Sequence, residues 1–419
     1  MRIALVSDLH IGLDTIAVDL CPYPLEPAKA FGLEKNFLSK FQNFVNTTDF
    51  KSGGAVDILC VTGDISDRGD PNEFAHASKV ICELAKSLGV AEDKIFFVPG
   101  NHDVNWPVMK LTPHGFWGKF RYEPLLQHDL IFRKRLDDAV IGAYDASPHF
   151  VAWESGVNLV VGINSAAFDD PTPEDGQHHG LIQQETLIQL REYLEKLTPT
   201  KEGHRICLLH HHPISYSDFR TDIADFSAAV NAENLFKLLS EMRFDLILHG
   251  HKHVPHLQHA SQVTNGHPVT VLGSGSLSAQ ISPKWCGRAQ NQFHIIHLEG
   301  RNDQTAVAYG HVATWNFLGD AWRPGNSQMG LGPKEGFGTF TTPAQLESEL
   351  RASLLISMAG KNLCTWLTLI SQLPHLPYVE TQTLFKALGN VAEELGLLTP
   401  FDCGTDKKKW MIVRETEEE

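Results

Sequence analysis

No two of the chain's cysteines are spaced C-x-x-C, and the seven present, at 21, 60, 82, 207, 286, 364 and 403, are an odd number. Several sit inside apolar, strand-like runs. They read as reduced core residues, so neither a disulfide framework nor a zinc finger is expected. No apolar run reaches the roughly 20 residues of a membrane span. The start, Met1-Arg2-Ile3, passes straight into a strand with no small-residue cleavage site behind it. The expected location is cytoplasmic, with no membrane partner. Basic residues are also scarce: 35 Lys and Arg against 50 Asp and Glu give a net charge of −15. That balance argues against a protein that coats nucleic acid, which draws on clustered Lys and Arg, although it leaves room for a local groove.

Histidine is what the chain has in excess, 22 in 419 residues, and several histidines follow directly on apolar runs. The run Arg2-Ile3-Ala4-Leu5-Val6-Ser7 ends in Asp8-Leu9-His10. Its carboxylate and imidazole leave the carboxyl end of a buried strand, where open α/β sheets place their ligands. Converging there, a carboxylate and a neutral imidazole form a divalent-metal pair. Alone, D-x-H is equally a turn after a strand.

Four later stretches repeat the design. After helical spacing over 33–45, the strand Val56-Asp57-Ile58-Leu59-Cys60-Val61 ends in Thr62-Gly63-Asp64-Ile65-Ser66-Asp67-Arg68-Gly69. Asp64 stands at the tip and is suited to bridge two cations, because a carboxylate has two oxygens. Asp67 and Arg68 read either as a surface ion pair or as residues that orient the site and hold phosphate. A helix over 72–88 leads to the strand Ile95-Phe96-Phe97-Val98, which ends in Pro99-Gly100-Asn101-His102-Asp103. This βαβ rhythm is that of a layered α/β sheet. It lapses over 104–155, which fits both a peripheral helical insertion that buries its aromatics and a cap over the site. A strand at 158–165, a polar loop at 169–180 and a helix at 183–197 follow. Then Arg205-Ile206-Cys207-Leu208-Leu209 runs into His210-His211-His212-Pro213, and Phe244-Asp245-Leu246-Ile247-Leu248 runs into His249-Gly250-His251-Lys252-His253.

Taken in order, Asp-x-His, Gly-Asp-x-x-Asp, Gly-Asn-His-Asp, a His before x-Pro, and Gly-His-x-His resemble the calcineurin-like metallophosphoesterase superfamily, in particular its cyclic-nucleotide phosphodiesterase-like branch. The resemblance implies a two-sheet α/β sandwich with flanking helices. It implies one metal held by Asp8, His10, Asp64 and His253 and a second by Asp64, Asn101, His211 and His251, with Asp64 as the bridge. His211 is chosen because the family's ligand stands two residues before proline. His102 would be the general acid, Asp103 its orienting partner, and Arg68 a phosphate contact.

The chemistry follows from the residue types as well. Hydrolysis of a shielded phosphodiester needs charge neutralisation, an activated water and a proton for the leaving alkoxide. Two cations supply the first two through a metal-bridging hydroxide set for in-line attack, and an imidazole supplies the third. The Asp/Asn/His shell suits two divalent transition-metal ions, Mn, Fe, Zn or Ni. The expected function is therefore a dinuclear metal-dependent phosphodiesterase acting on a cyclic nucleotide or another small phosphodiester, since the insertion and acidic surface fit an enclosed site. The alternatives are a metal-dependent nuclease acting on DNA or RNA and a non-enzymatic, metal-stabilised scaffold.

The catalytic domain is expected to span 1–325. A strand at 268–272 and a hairpin of about 292–298 and 306–311 would close its second sheet. Residues 326–343, rich in Gly and Pro, read as a linker. A helix-rich module, with the element order of a winged helix, is expected over 344–419. From 343 onward 7 Lys and Arg face 11 Asp and Glu, which favours a protein partner or self-association over nucleic-acid recognition through Lys407-Lys408-Lys409.

Overall fold

The computed structural model describes residues 1–105, 121–136, 149–168, 179–197, 203–215, 228–260, 266–281, 289–303, 305–339, 341–399, 407 and 410–414. The chain forms two compact units. One is Met1–Ile295 with Trp315–Arg323, the other Ile296–Thr314 with Pro324–Glu419. Among the described residues no helix is long and apolar enough to cross a membrane, and the described cysteines are unbridged.

The fold is mixed α/β with two major sheets. Its strands in chain order are β1 Arg2–Val6, β2 Ile58–Thr62, β3 Ile95–Val98, β4 Phe150–Ser155, β5 Asn158–Ile163, β6 Arg205–Leu208, β7 Leu246–His249, β8 His256–Ala260, β9 Val269–Gly273, β10 Asn291–Arg301, β11 Ala308–Leu318 and β12 Ala321–Pro324. The first sheet runs β12-β11-β10-β1-β2-β3, the second β4-β5-β6-β7-β9-β8. Within them β1, β2 and β3 are parallel, as are β5, β6, β7 and β9. Parallel strands are covered on both faces, and β1, β2 and β3 are accordingly buried along their whole length.

Helices cover the outer faces. Phe37 and Phe41 of α1 (Phe37–Val45) pack edge-on against Trp322 and Phe293, with Phe41 and Phe293 centroids 5.0 Å apart. Helix α2 (Pro71–Leu88) starts at an Asp70/Glu73 capping box with Pro71 in its first turn, a start worth about 1 kcal/mol. On the second sheet, Leu187, Leu190 and Leu194 of α3 (Gln184–Lys196) share a core with Leu235, Phe236 and Leu239 of α4 (Ala232–Glu241).

The structure departs from the sequence expectations in several places. The 291–318 hairpin joins β1 in the first sheet, where Phe293 completes the aromatic core beneath α1. Most of the 104–155 segment, 106–120 and 137–148, lies outside the described residues, and its last six residues are the sheet strand β4, with Trp153 against Phe96. Residues 326–343 contain a strand, β13 (Lys334–Phe337), paired antiparallel with β11. Gly336 there serves close approach, since a Cβ would collide with the backbone of 377–379. Residues 296–314 of the hairpin also cluster with the C-terminal residues, so the units do not divide at one boundary near 325.

The C-terminal residues form α5 (Pro343–Ser357), β14 (Leu363–Thr365), α6 (Trp366–Gln372), α7 (Thr381–Glu394), β15 (Leu397–Leu398) and β16 (Met411–Arg414). Their antiparallel sheet has the order β14-β16-β15 over a core that includes Leu346, Leu350, Trp366, Leu388 and Ile412. Residues 400–406, 408 and 409 lie outside the described residues.

Candidate metal centre

Five of the residues singled out at strand ends have left-handed backbones: Asp8 (φ 51°), His10 (48°), Asp64 (48°), His251 (77°) and His253 (57°). An L residue in this region is strained, and such a concentration marks a functional site that its surroundings must hold in place. The holding groups are visible. The Asp8 and His10 amides donate to the carbonyls of Gly63 and Asp64 at 3.0 Å, and Ser276 Oγ donates to the Asp8 carbonyl at 2.7 Å. The His251 amide donates to the Asp8 carboxylate at 3.1 Å. Gly250 permits this approach, because a Cβ there would run into Ser7 and Asp8.

The side chains converge in two linked sets. In the first, Asp8, His10, Asp64 and His253 bring ligand atoms within 4.8 Å of one another, with His253 Nε2 at 3.3 Å from Asp8 Oδ1. In the second, Asp64, His210 and His251 do the same. His210 Nε2 is 3.1 Å from Asn101 Oδ1 and 3.2 Å from His251 Nδ1, and that Nδ1 is 3.1 Å from Asn101 Oδ1. Asp64 belongs to both sets through one oxygen. Its Oδ2 lies 3.6 Å from His10 Nε2 and 3.2 Å from His210 Nε2, while Oδ1 accepts the His102 amide at 2.9 Å.

These residues fit divalent cations. Asp8 and Asp64 are 0% and 2% exposed, and buried carboxylates need a compensating charge. Both ring nitrogens of His10 are buried and neither has a hydrogen-bond partner among the described residues. Burial, reinforced by His102, pushes the His10 imidazole down to about 3. Burial also holds His251 well below its usual value, with His211 and His210 adding to the effect. Both are therefore neutral imidazoles, the form that binds metal. Burial alone would raise the Asp64 carboxyl, but His210, His102 and His10 outweigh it and hold it well below the usual carboxylate range.

The structure brings Asp8, His10, Asp64, Asn101, His251 and His253 together, and it places His211, Asp103 and Arg68 as follows. The second set contains His210 with Asp64 and His251, and His211 packs beside His210. His211 Nδ1 pairs with Ser165 Oγ at 3.0 Å and its ring packs on His251, while His210 takes the place beside Asp64 and Asn101. Strand alternation is the reason: Cys207 and Leu209 face the core under α3 and α4, so Leu208 and His210 face the other way. Asp103 is held by backbone amides. Its carboxylate accepts from the amides of Ile65, Ser66 and Gly100 at 2.8 to 3.1 Å, tying the β2 and β3 loops together, and burial raises it to about 6, with Asp64 adding to the shift. The group against His102 Nδ1 is the Asp67 carbonyl at 2.8 Å. Arg68 is exposed, with Nε 3.3 Å from Asp67 Oδ2. Ser165 and Ser276 are not singled out in the sequence, because they carry no signal beyond closing or following a strand.

Residues 1–255 match the family model of the calcineurin-like phosphoesterases. The chain is similar to a cAMP/cGMP dual specificity phosphodiesterase of Mycobacterium tuberculosis (strain CDC 1551 / Oshkosh), 24% identical over 306 residues, 72% of this chain and 75% of the relative. Among solved structures it is similar to a purple acid phosphatase from yellow lupin (Lupinus luteus) seeds, with a TM-score of 0.44, 12% identity, and 75% of this chain and 51% of that chain covered. The chain thus spans about half the length of that phosphatase. Phosphopantetheinyl hydrolase of Mycobacterium tuberculosis is also similar, with a TM-score of 0.35, 14% identity, and 68% and 92% of the two chains covered.

Proposed function

Because the chain belongs to the calcineurin-like phosphoesterase family and is a metallophosphoesterase, we propose that it is a dinuclear phosphodiesterase of cyclic nucleotides or other small phosphodiesters. The observation that carries this reading is the position of Asp64 Oδ2, a single carboxylate oxygen facing His10 on one side and His210 on another. Asp8, His10, Asp64 and His253 would hold one divalent ion, and Asp64, Asn101, His210 and His251 the second. Imidazole, carboxylate and amide oxygens together suit Mn, Fe, Zn or Ni. Two such cations neutralise phosphoryl charge and lower the pKa of water.

The chain's own groups do the rest. A backbone carbonyl only accepts hydrogen bonds, so the Asp67 carbonyl fixes a proton on His102 Nδ1 and leaves Nε2 as the nitrogen that exchanges one. Burial disfavours protonation of His102, but Asp64 and the Asp67 carbonyl outweigh it and raise its pKa. A protonated His102 suits a general acid that delivers a proton to the departing alkoxide. Asp103 positions this group indirectly, by holding the loop that carries it. Arg68, exposed beside Asp67, would be a phosphate contact through its remaining N–H groups.

The cyclic-nucleotide class is supported by the name of the mycobacterial relative. Within the chain, chemistry is assigned to residues 1–325 and association to 344–419. There Leu363, Leu398 and Met411 are exposed apolar side chains on strands β14, β15 and β16. The test is a panel of cAMP, cGMP, p-nitrophenyl mono- and diesters, DNA and RNA, assayed on chelated protein before and after manganese is added. Metal-dependent turnover of cyclic nucleotides or the small diester is expected. Turnover confined to monoesters or to nucleic acid would contradict the assignment.

A further inference from the structure

The β10–β11 hairpin carries a second set of metal-compatible side chains that shares no residue with the Asp64 centre. Alternation along β10 places His297 and Glu299 on one face, and His311 of β11 meets them there. The His297 and His311 rings stack with centroids 4.3 Å apart and planes 14° apart. Glu299 Oε1 lies 3.5 Å from His311 Nδ1. One ligand atom from each residue falls within 4.8 Å of the other two. The His311 side chain is 8% exposed and that of Glu299 40%, so a buried imidazole lies behind a carboxylate open to solvent.

A plain ion pair accounts poorly for this arrangement. At 3.5 Å the Glu299–His311 contact is longer than the roughly 2.7–2.9 Å of a charge-assisted hydrogen bond. A divalent cation accounts for the grouping better, because it binds neutral imidazoles and meets the carboxylate directly once one ring turns out of the stack to bring both nitrogens to the ion. Two His and one carboxylate are a known zinc donor set that leaves a position for water.

We propose that His297, Glu299 and His311 hold a divalent ion of the zinc class, which ties strand β10 to strand β11 and stabilises the folded hairpin. An ion that binds the folded form alone raises its stability with concentration.

The test uses the full chain equilibrated with excess zinc, passed through a desalting column and counted by elemental analysis. His297→Gln is the main variant, since His297 is only half-buried and its loss spares the core, and Glu299→Gln is the second. Each should carry one zinc ion fewer than the unsubstituted protein, whatever the Asp64 centre holds. In an Asp64→Ala background, added zinc should still raise the melting temperature, and His297→Gln should abolish that rise. Equal zinc content with and without His297→Gln, or a rise that survives it, would overturn the proposal.

Discussion

His210 Nε2 lies 3.2 Å from Asp64 Oδ2, which joins the tip of the second strand of one sheet to the tip of a central strand of the other. His211, one residue on, turns to Ser165 instead. His210→Ala should therefore lose one of the two ions and most of the activity. His211→Ala should keep both, with metal affinity lowered about 10- to 100-fold, as for a group that supports a ligand. Metal analysis of the two variants decides the register, and the opposite pattern would return the ligand role to His211.

His102→Ala should separate metal binding from leaving-group protonation. A loss of roughly 10²- to 10⁴-fold in kcat is expected for an alkoxide leaving group. The loss should be much smaller for p-nitrophenolate, which needs no proton, and metal content should be unchanged. Equal losses for the two leaving groups would make His102 a positioning residue.

Glu73 gives a pH signature. Its carboxyl is 1% exposed, and burial pushes it up to about 7 against the Arg68 and Asp70 amides, which pull it down. A carboxyl that binds its proton more tightly in the folded state lends stability that is whole below the unfolded value near 4.5. That stability is lost as pH rises through about 7. In urea unfolding, Glu73→Gln should gain on the unsubstituted protein between these pH values, by at most about 3 kcal/mol, and the difference should level off above. A pH-independent difference would mean that Glu73 is ionised throughout.

Ending the chain after Gly325 keeps all of the first unit, Met1–Ile295 with Trp315–Arg323. The truncated protein should hydrolyse a chromogenic diester at close to the full rate, while its association state by light scattering should change. A folded, metal-loaded but inactive truncation would refute the division of labour.

The strand-end cluster was legible because a buried parallel strand is a continuous apolar run that stops where its polar tip begins, as Leu5-Val6 does before Asp8. Local sequence does not reveal which of three consecutive histidines turns inward. Leu208 and Leu209 are equally apolar, so only packing under α3 and α4 shows which one faces that core. The role of Asp103 was hidden for a similar reason, since its partners Ile65 and Ser66 arrive from another strand's loop. Gly336 looked like linker flexibility but serves a close approach to 377–379. The place of β10 beside β1 pairs segments that start at residues 2 and 291, which no local pattern encodes.

The most direct test of the two-ion centre is a manganese titration of chelated protein with hydrolysis of a cyclic nucleotide or small diester as the readout. Activity should rise from background and saturate at two ions per chain, and the Asp64→Ala protein should show neither the rise nor stable uptake of either ion. Full activity in the chelated protein, or Asp64→Ala protein that takes up both ions as before, would contradict a centre built on Asp64.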